Sequence, residues 1–220
     1  MIKQTSFKHG WWYFYRVHEP KAKELTTNYP SLKKYLYDIF ENCPHPYFEV
    51  EPRSSKLRFH LSNVNLKHID KHELTQLTKQ GLTVNAERYQ SNHSKVQLYM
   101  LENDKSTIAI EVPLWLNAEE LKGYEKIFGT TNPLTGHIDA LRIEDNKIWI
   151  WDYKPHAKLE KFASTQVFFY AYMLSKRTGI SLDNFRCGYF DAINTYAFNP
   201  KSCKISQTEQ ETLQELQKSF

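Results

Sequence analysis

Residues 137–154 read HIDALRIEDNKIWIWDYK, and this stretch decides the fold. Aliphatic and aromatic side chains are frequent on both sides of the dipeptide Asp145-Asn146, which favours two short strands, 137–143 and 147–154. Asn tolerates a positive φ, so the dipeptide suits the tight primed turn between antiparallel strands. The stretch therefore predicts a β-hairpin.

A two-residue loop also fixes which residues of the hairpin face each other. Asp139 is then expected opposite Asp152, and His137 opposite Lys154. These four side chains fall on one face of the sheet. The other face carries aromatic residues, namely Trp149, Trp151 and Tyr153.

Two carboxylates that face each other repel, and a divalent cation between them reverses the sign of that interaction. Mg²⁺ favours a pair of carboxylates together with water and phosphate oxygens. Lys154 lies beside this predicted site, where it can orient or deprotonate water or neutralise charge on a phosphate. The alternative is a solvated sheet face on which Lys154 balances the charge of Asp152.

Other segments have their own helix or strand patterns. Residues 31–40 and the stripe through residues 85–101 predict amphipathic helices, and residues 158–176 predict a long helix that ends near Gly179. Strands are predicted at 107–113, at 185–190 and at 195–198, with one or two more in 56–66. Helices interspersed with strands indicate an α/β or α+β fold in which helices cover a sheet.

The first 80 residues contain an aromatic run, WWYFY at 11–15, flanked by basic side chains. Such a run can stack exposed bases beside a basic groove, but it is more typical of a buried strand, which is the interpretation favoured here. Ser206 and Glu209 form a capping box for a final helix over 206–219. One domain is predicted over 1–220, with an N-terminal elaboration (1–80) and a core (81–200).

Composition narrows the class of protein. The net charge is +4, and basic residues prevail in the first half of the chain, which suits a polyanionic partner as well as an ordinary solvated surface. We expect a cytoplasmic protein, because there is no apolar run for a signal peptide or a membrane span. The three cysteines (Cys43, Cys187 and Cys203) are widely spaced, which excludes a disulfide framework or a four-thiolate metal site within the chain.

Three short motifs occur in order: Gly136-His137-Ile138-Asp139, then Asp152-Tyr153-Lys154, then Gln166 and Tyr170 four residues apart. Together they resemble the G-x-x-D, (D/E)-x-K and Q-x-x-x-Y series of the RecB-like branch of the PD-(D/E)XK nuclease superfamily. That branch includes CRISPR-associated RecB-like exonucleases and the mitochondrial genome maintenance exonuclease. The resemblance covers roughly residues 85–190.

The resemblance implies a restriction-endonuclease-like α/β fold, in which a mixed central sheet is flanked by helices. It implies Mg²⁺ or Mn²⁺ as the cofactor, with Asp139, Asp152 and the backbone carbonyl of Tyr153 as metal ligands. Lys154 would be the catalytic lysine. Gln166 and Tyr170 would lie on one helix face toward the nucleic acid. The alternative for the last two is a polar pair beside an apolar helix stripe.

Two more residues are candidate metal ligands by the same resemblance. His93 lies in the inward stripe of the helix before the sheet, where a lone histidine is otherwise a satisfied core residue. Glu111 points away from the apolar face of its strand and can bind or position a second metal. His137 and His156 flank the motifs without an assigned role. Several relatives hold an iron–sulfur cluster with four cysteines, which this chain lacks, so no such cluster is expected.

The sequence thus predicts a metal-dependent nuclease, expected to be a DNA exonuclease that acts on single-stranded DNA or DNA ends. Two alternatives are a non-catalytic nucleic-acid-binding module of the same fold and a metal-dependent hydrolase of small phosphates. DNA is the expected partner, and any helicase or repair partner would be a separate protein, because no Walker sequence is present. The oligomeric state stays open.

Overall fold

The structure, a computed structural model, describes residues 1–205. Its strands are β1 (Ile2–His9), β2 (Trp11–His18), β3 (Lys67–His68), β4 (Thr107–Leu116), β5 (Leu134–Glu144), β6 (Lys147–Tyr153), β7 (Phe185–Phe190) and β8 (Thr195–Phe198). Its α-helices are α1 (Glu19–Leu25), α2 (Pro30–Asn42), α3 (Glu73–Val84), α4 (Asn92–Asn103), α5 (Tyr124–Phe128) and α6 (Ala163–Thr178). The eight strands form one sheet in the order β1-β2-β4-β5-β6-β7-β8-β3.

The sheet is mixed because one of its pairings is parallel. β6 runs parallel to β7, and α6 makes the crossover between them, whereas the other pairings are antiparallel. α6 ends at Gly179, whose φ of 71° is the left-handed conformation expected of a helix cap. The predicted α/β fold, a mixed central sheet flanked by helices, is confirmed.

The hairpin of β5 and β6 forms as predicted. Asp145 and Asn146 have φ of 47° and 54°, the positive values that a primed two-residue turn requires. The ladder runs from Glu144↔Lys147 to Ala140↔Trp151, in the predicted register. The ladder ends there, so the two predicted pairs beyond it, Asp139 opposite Asp152 and His137 opposite Lys154, do not form as ladder pairs. That part of the prediction was wrong because the Tyr153 N–H donates to the Asp139 carboxylate, and β5 continues beside β4 alone, with His137 paired to Pro113.

Helices cover both faces of β6. Ile148 and Ile150 belong to a core cluster that includes α2 and α6, whereas Trp151 and Tyr153 pack with residues of α3 and α4. Successive side chains of a strand point to opposite faces, so this split is the alternation predicted for the hairpin. The polar end of the hairpin consequently lies on the α6 side of the sheet.

A buried ion cluster joins β5 to its neighbours. The guanidinium of Arg142 is fully buried and lies 2.9 Å from Asp104 and 2.9 Å from Glu144, with Glu73 of α3 as a third carboxylate partner. A buried arginine requires such partners, because an unpaired charge in the interior is costly. The cluster fixes β5 against the end of α4.

The aromatic run at residues 11–15 is strand β2, as favoured from the sequence. β2 pairs with β4 through Arg16↔Ile110 and Val17↔Ala109, which brings the N-terminal hairpin into the central sheet. Tyr15 is fully buried, whereas three other aromatic side chains of the run are exposed, namely Trp11, Trp12 and Phe14. The prediction of a strand was therefore correct, but the expectation that the run is buried was wrong for three of its five residues.

Two predicted helices begin later than expected. The helix predicted from residue 85 begins at Asn92, because Asn85 caps α3 and Ser91 caps α4 by accepting from the backbone of Ser94. The helix predicted from residue 158 begins at Ala163, because 157–159 form a 3₁₀ turn whose Ala157 N–H donates to Asp191.

The segment 56–66 forms no named strand, contrary to expectation. It contributes one isolated bridge, Ser62↔Lys204, and its Phe59 carbonyl accepts a hydrogen bond from Thr165 of α6. The backbone there is satisfied by contacts outside a ladder. The predicted helix over 206–219 lies outside the described residues. Within residues 1–205, no helix has both the length and the apolarity to cross a membrane.

Candidate active site

A cleft of about 630 Å³ opens beyond the end of the ladder between β5 and β6. Seven of the eight residues predicted for the site line this cleft: His93, Glu111, Asp139, Asp152, Lys154, Gln166 and Tyr170. They come from α4, β4, β5, the end of β6 and α6. The fold thus brings together residues that are far apart in the sequence.

Asp139 and Asp152 are both buried at the base of the cleft. Asp139 is held by the backbone, because its Oδ2 accepts a hydrogen bond of 2.8 Å from the N–H of Tyr153. Burial, and then repulsion from Asp152, raises the pKa of Asp139 to about 6. The negative charge of Asp152 therefore opposes the ionisation of Asp139.

Glu111 supplies a third carboxylate, and its backbone is unusual. Its φ of 53° is left-handed, although it lies within β4 between the pairs Ile110↔Ala140 and Val112↔Ile138. The Gln97 amide of α4 donates to Glu111 at 2.8 Å. Burial, and then the charge of Asp139, raises the pKa of Glu111 to about 8.

Lys154 lies just after β6 and is enclosed by polar partners. Its Nζ lies 2.7 Å from Asp152 Oδ2 and donates to Gln166 Oε1 at 2.9 Å. Burial lowers the pKa of the ammonium, but Asp152 and Asp139 outweigh that effect, so the pKa of Lys154 is raised. Lys154 is therefore a positively charged donor in this state of the cleft.

Gln166 connects the charged residues to α6. Its amide donates to Asp152 Oδ1 at 3.1 Å and to the Tyr170 hydroxyl at 2.8 Å, while its carbonyl oxygen accepts from Lys154. Both Gln166 and Tyr170 are buried, one helical turn apart. Gly136 makes room for this pair, because a Cβ there would overlap the Tyr170 ring.

His93 is located at the start of α4 rather than in the middle of a helix. Its side chain is 44% exposed, and its Nε2 lies 3.8 Å from Asp139 Oδ2, with the imidazole edge-on to the Tyr153 ring. The prediction of an inward-facing core position was wrong, because the helix begins one residue before it. The position instead leaves the imidazole at the mouth of the cleft.

The remaining predicted residues lie around this centre. Tyr153 packs its ring with the α3 and α4 side of the sheet. His137 lines the cleft but is buried and hydrogen-bonded to His9, and His156 is exposed before a 3₁₀ turn outside the cleft lining.

The cleft is also lined by Trp11, Trp12, Tyr13, Phe14 and Arg16, the run for which base stacking was the less favoured interpretation of the sequence. Sequence reasoning missed three further lining residues: Arg53, Arg88 and Gln97. Gln97 had a usable signal, because it lies four residues after His93 and so shares its helix face. Arg53 had none, because only the fold brings it beside the end of β1, where it donates to the His9 carbonyl.

The donor set fits a hard divalent cation. Carboxylates of three residues line the cleft, and repulsion between them adds to burial in raising the pKa values of Asp139 and Glu111. Oxygen-rich sites of this kind suit Mg²⁺ and Mn²⁺. His93 adds one imidazole at the rim.

Comparison with known proteins gave one finding. A family model described as the PD-(D/E)XK nuclease superfamily matches residues 57–220, well over half of the chain. No curated protein and no solved structure matched the chain. The matched region contains the hairpin, α6 and the carboxylates of the cleft, but not β1 and β2.

Proposed function

The chain belongs to the PD-(D/E)XK nuclease superfamily, and we propose that it is a metal-dependent deoxyribonuclease that acts as an exonuclease on single-stranded DNA or DNA ends. One observation carries the proposal. Asp139, Asp152 and Lys154 meet in an open cleft, with Lys154 Nζ 2.7 Å from Asp152. A residue set of this kind provides both a cation site and a fixed positive charge for a phosphodiester.

Asp139, Asp152 and the backbone carbonyl of Tyr153 would hold the cation, with Glu111 and His93 as further ligands. When bound, Mg²⁺ or Mn²⁺ polarises a phosphoryl oxygen and acidifies water. We propose that the buried carboxylates select a hard cation by charge and donor type. The iron–sulfur chemistry of some relatives has no place in this proposal.

Lys154 would act as a fixed cation rather than as a base. Its ammonium is held by Asp152 and Gln166, and its raised pKa keeps it protonated near neutral pH. Its free N–H can donate to a phosphate oxygen and stabilise charge that develops there. Gln166 orients both Lys154 and Asp152, so its role is positioning.

The exposed aromatic and arginine side chains that line the cleft support the proposal of a single-stranded substrate. Trp11 is 77% exposed and Trp12 is 53% exposed, and both line the cleft with Phe14 and three arginines: Arg16, Arg53 and Arg88. Unpaired bases stack on such aromatic faces, and arginines attract the phosphate backbone. Bases in a duplex are already stacked on one another, so this surface favours an unpaired strand.

Assignment to the RecB-like branch is also part of the proposal. It is supported by the Gln166 and Tyr170 pair on α6 and by His93 beside Asp139. Any helicase or repair partner would bind as a separate chain.

The test is to incubate end-labelled single- and double-stranded DNA with the protein and Mg²⁺ or Mn²⁺, and to size the products. We expect short products from a labelled end, from single strands first, and none with Asp152→Asn. Binding without cleavage would favour the alternative of a nucleic-acid-binding module, and internal fragments would contradict the exonuclease proposal.

Trp11→Ala tests the substrate preference. Loss of one stacking platform is expected to weaken single-strand binding by about 1–3 kcal/mol. Ile193→Ala is the matched control, because Ile193 is equally exposed at 78% but does not line the cleft. Equal effects of the two variants, or an equal loss of duplex binding, would contradict a stacking role.

A further inference from the structure

A second cluster of potential metal ligands lies at the end of β1, outside the carboxylate site. Its members are His9, Cys43 and His45, and one ligand atom from each lies within 4.8 Å of the other two. They belong to different elements, because His9 ends β1, Cys43 caps α2 and His45 begins a 3₁₀ turn. From this geometry we propose that these three side chains bind a borderline-soft transition metal of the Zn²⁺ class.

Only small side-chain movements are needed to place the three ligand atoms around an ion. His9 Nε2 already lies 2.9 Å from His45 Nδ1. Zinc bonds of about 2.0–2.3 Å place tetrahedral ligands about 3.3–3.8 Å apart. The imidazoles would open slightly and the thiol would move inward by about 1 Å at most. His45 is exposed and can make that adjustment.

Cys43 differs from the other two cysteines in a way that favours ligation. Cys187 and Cys203 each place their sulfur 3.6 Å from a backbone carbonyl. Within residues 1–205, the Cys43 thiol makes no hydrogen bond, although the side chain is buried. Its sulfur is thus a buried soft atom without a polar partner, next to two imidazoles.

His9 is already oriented as a ligand. Its Nδ1 lies 2.9 Å from His137 Nε2, and its ring stacks on Phe48 with the centroids 3.9 Å apart. Metal-binding histidines almost always donate their second N–H to a partner, which fixes the tautomer. His9 would donate from Nδ1 to His137 and leave Nε2 for the metal.

The protonation states of the three ligands can be assigned for the metal-free and the metal-bound site. Metal binding converts the Cys43 thiol to a thiolate and releases one proton to solvent. His45 stays neutral, but its proton moves from Nδ1, where it donates to His9 in the metal-free protein, to Nε2, which frees Nδ1 for the metal. Three protein ligands leave a fourth position for water on the side of exposed His45. The soft sulfur and nitrogen donors distinguish this site from the oxygen donors of the cleft, which suit Mg²⁺.

Such a site would tie the end of β1 to the end of α2. It would also reach the cleft, because His137 lines the cleft and stacks on Tyr13 with the centroids 3.7 Å apart. The inference does not depend on the proposed nuclease activity, since it rests on the ligand cluster alone.

The test uses Co²⁺ as the probe, because a thiolate bound to Co²⁺ gives a charge-transfer absorption band. Metal-free full-length protein is titrated with Co²⁺ and then with Zn²⁺. We expect one equivalent of Co²⁺ to develop the band, Zn²⁺ to remove it, and a large excess of Mg²⁺ to leave it unchanged.

Variants assign the band to its residues. Cys43→Ser should abolish it, and His45→Ala should weaken Co²⁺ binding at least about 100-fold, by analogy with the 10–100-fold effects of outer-shell changes. His45 is exposed, so a folding defect is not expected there. Cys203→Ser and Asp152→Asn are the controls and should retain the band. Absence of the band in the parent, or its survival in Cys43→Ser, would overturn the proposal.

Discussion

Replacing Gln166 with alanine is the sharpest test of how the cleft is organised. The side chain makes three hydrogen bonds, to Asp152 at 3.1 Å, to Tyr170 at 2.8 Å and from Lys154 at 2.9 Å. Alanine removes all of them and leaves a gap between α6 and the end of β6. Lys154 and Asp152 keep their ion pair, but neither is fixed to the helix.

The expected effect is on rate rather than on folding. Misplacement of a reacting group by about 1 Å costs about a hundredfold in rate, which is a barrier increase of about 2.7 kcal/mol. Asp139 remains held by the N–H of Tyr153, and Asp152 remains in the cleft. Stabilisation by Mn²⁺ should therefore be nearly unchanged.

The assay is single-turnover cleavage of labelled single-stranded DNA, with thermal melts in the presence and absence of Mn²⁺. Gln80→Ala is the matched control, because Gln80 accepts a hydrogen bond of 3.1 Å from Tyr99 and does not line the cleft. Gln80→Ala should cleave like the parent.

One result would refute the reasoning. If the cleavage rate of Gln166→Ala is within about threefold of the parent's rate, Gln166 does not position the reacting groups, and the expected hundredfold loss is contradicted. If the variant loses its Mn²⁺-dependent stabilisation as well, Gln166 acts through the cation site instead.

Three further predictions concern Lys154, the carboxylates and the buried ion cluster. Lys154→Ala should abolish cleavage in the single-turnover assay. Its DNA affinity should stay nearly intact, because one phosphate contact among many adds little to binding. Measurable turnover by this variant would exclude a catalytic role for Lys154. With a pKa of about 6 for Asp139 and about 8 for Glu111, the folded protein retains protons that the unfolded chain has released. The metal-free melting temperature should therefore fall as pH rises from about 4 to about 8, and level off above that. Mn²⁺ should raise the melting temperature more at about pH 9 than at about pH 5. Glu111→Gln should make the metal-free melting temperature less dependent on pH, and Asp152→Asn should remove most of the Mn²⁺ effect. A metal-free melting temperature that rises with pH would contradict the raised pKa values. Arg142→Met should cost about 3–5 kcal/mol in urea unfolding because it leaves buried carboxylates unpaired, and a loss below about 1 kcal/mol would show that the cluster is not energetically coupled to folding.

The hairpin was predictable because local signals determine it. Asp145-Asn146 forces the turn, and a two-residue loop fixes the register of the strands that follow. The same register fixed which face carries Asp152. These relations need no knowledge of the rest of the chain, so sequence reasoning succeeded there.

The elements that depend on tertiary contacts could not be predicted in the same way. Helix α3 is rich in threonine and contains Gly81, which are weak helix formers, yet it is helical because it packs closely on α4. A Cβ at Gly81 would lie only 3.0 Å from the Lys95 carbonyl, so the helices approach each other at that glycine. Nothing local signals this contact.

The residues of the cleft also differ in how far the sequence predicts them. Its carboxylates and lysine lie in short recognisable motifs, whereas its aromatic and arginine wall comes from β2 and from Arg53, which reach the cleft only through sheet pairing. Cys43 and His45 lie two residues apart, but the sequence analysis did not single them out, and only the fold brings His9 of β1 beside them.

The left-handed backbone of Glu111 has an evolutionary consequence. A residue with a side chain held at a φ of 53° carries strain of the order of 1–3 kcal/mol, and glycine would relieve it. Selection for thermal stability alone would therefore accept glycine at this position. A glutamate at this position therefore gives up part of the stability margin for one carboxyl group in the cleft. Under the proposed role of Glu111 as a cation ligand, a laboratory search for heat-resistant variants is expected to accept glycine here and to lose cation affinity as stability rises.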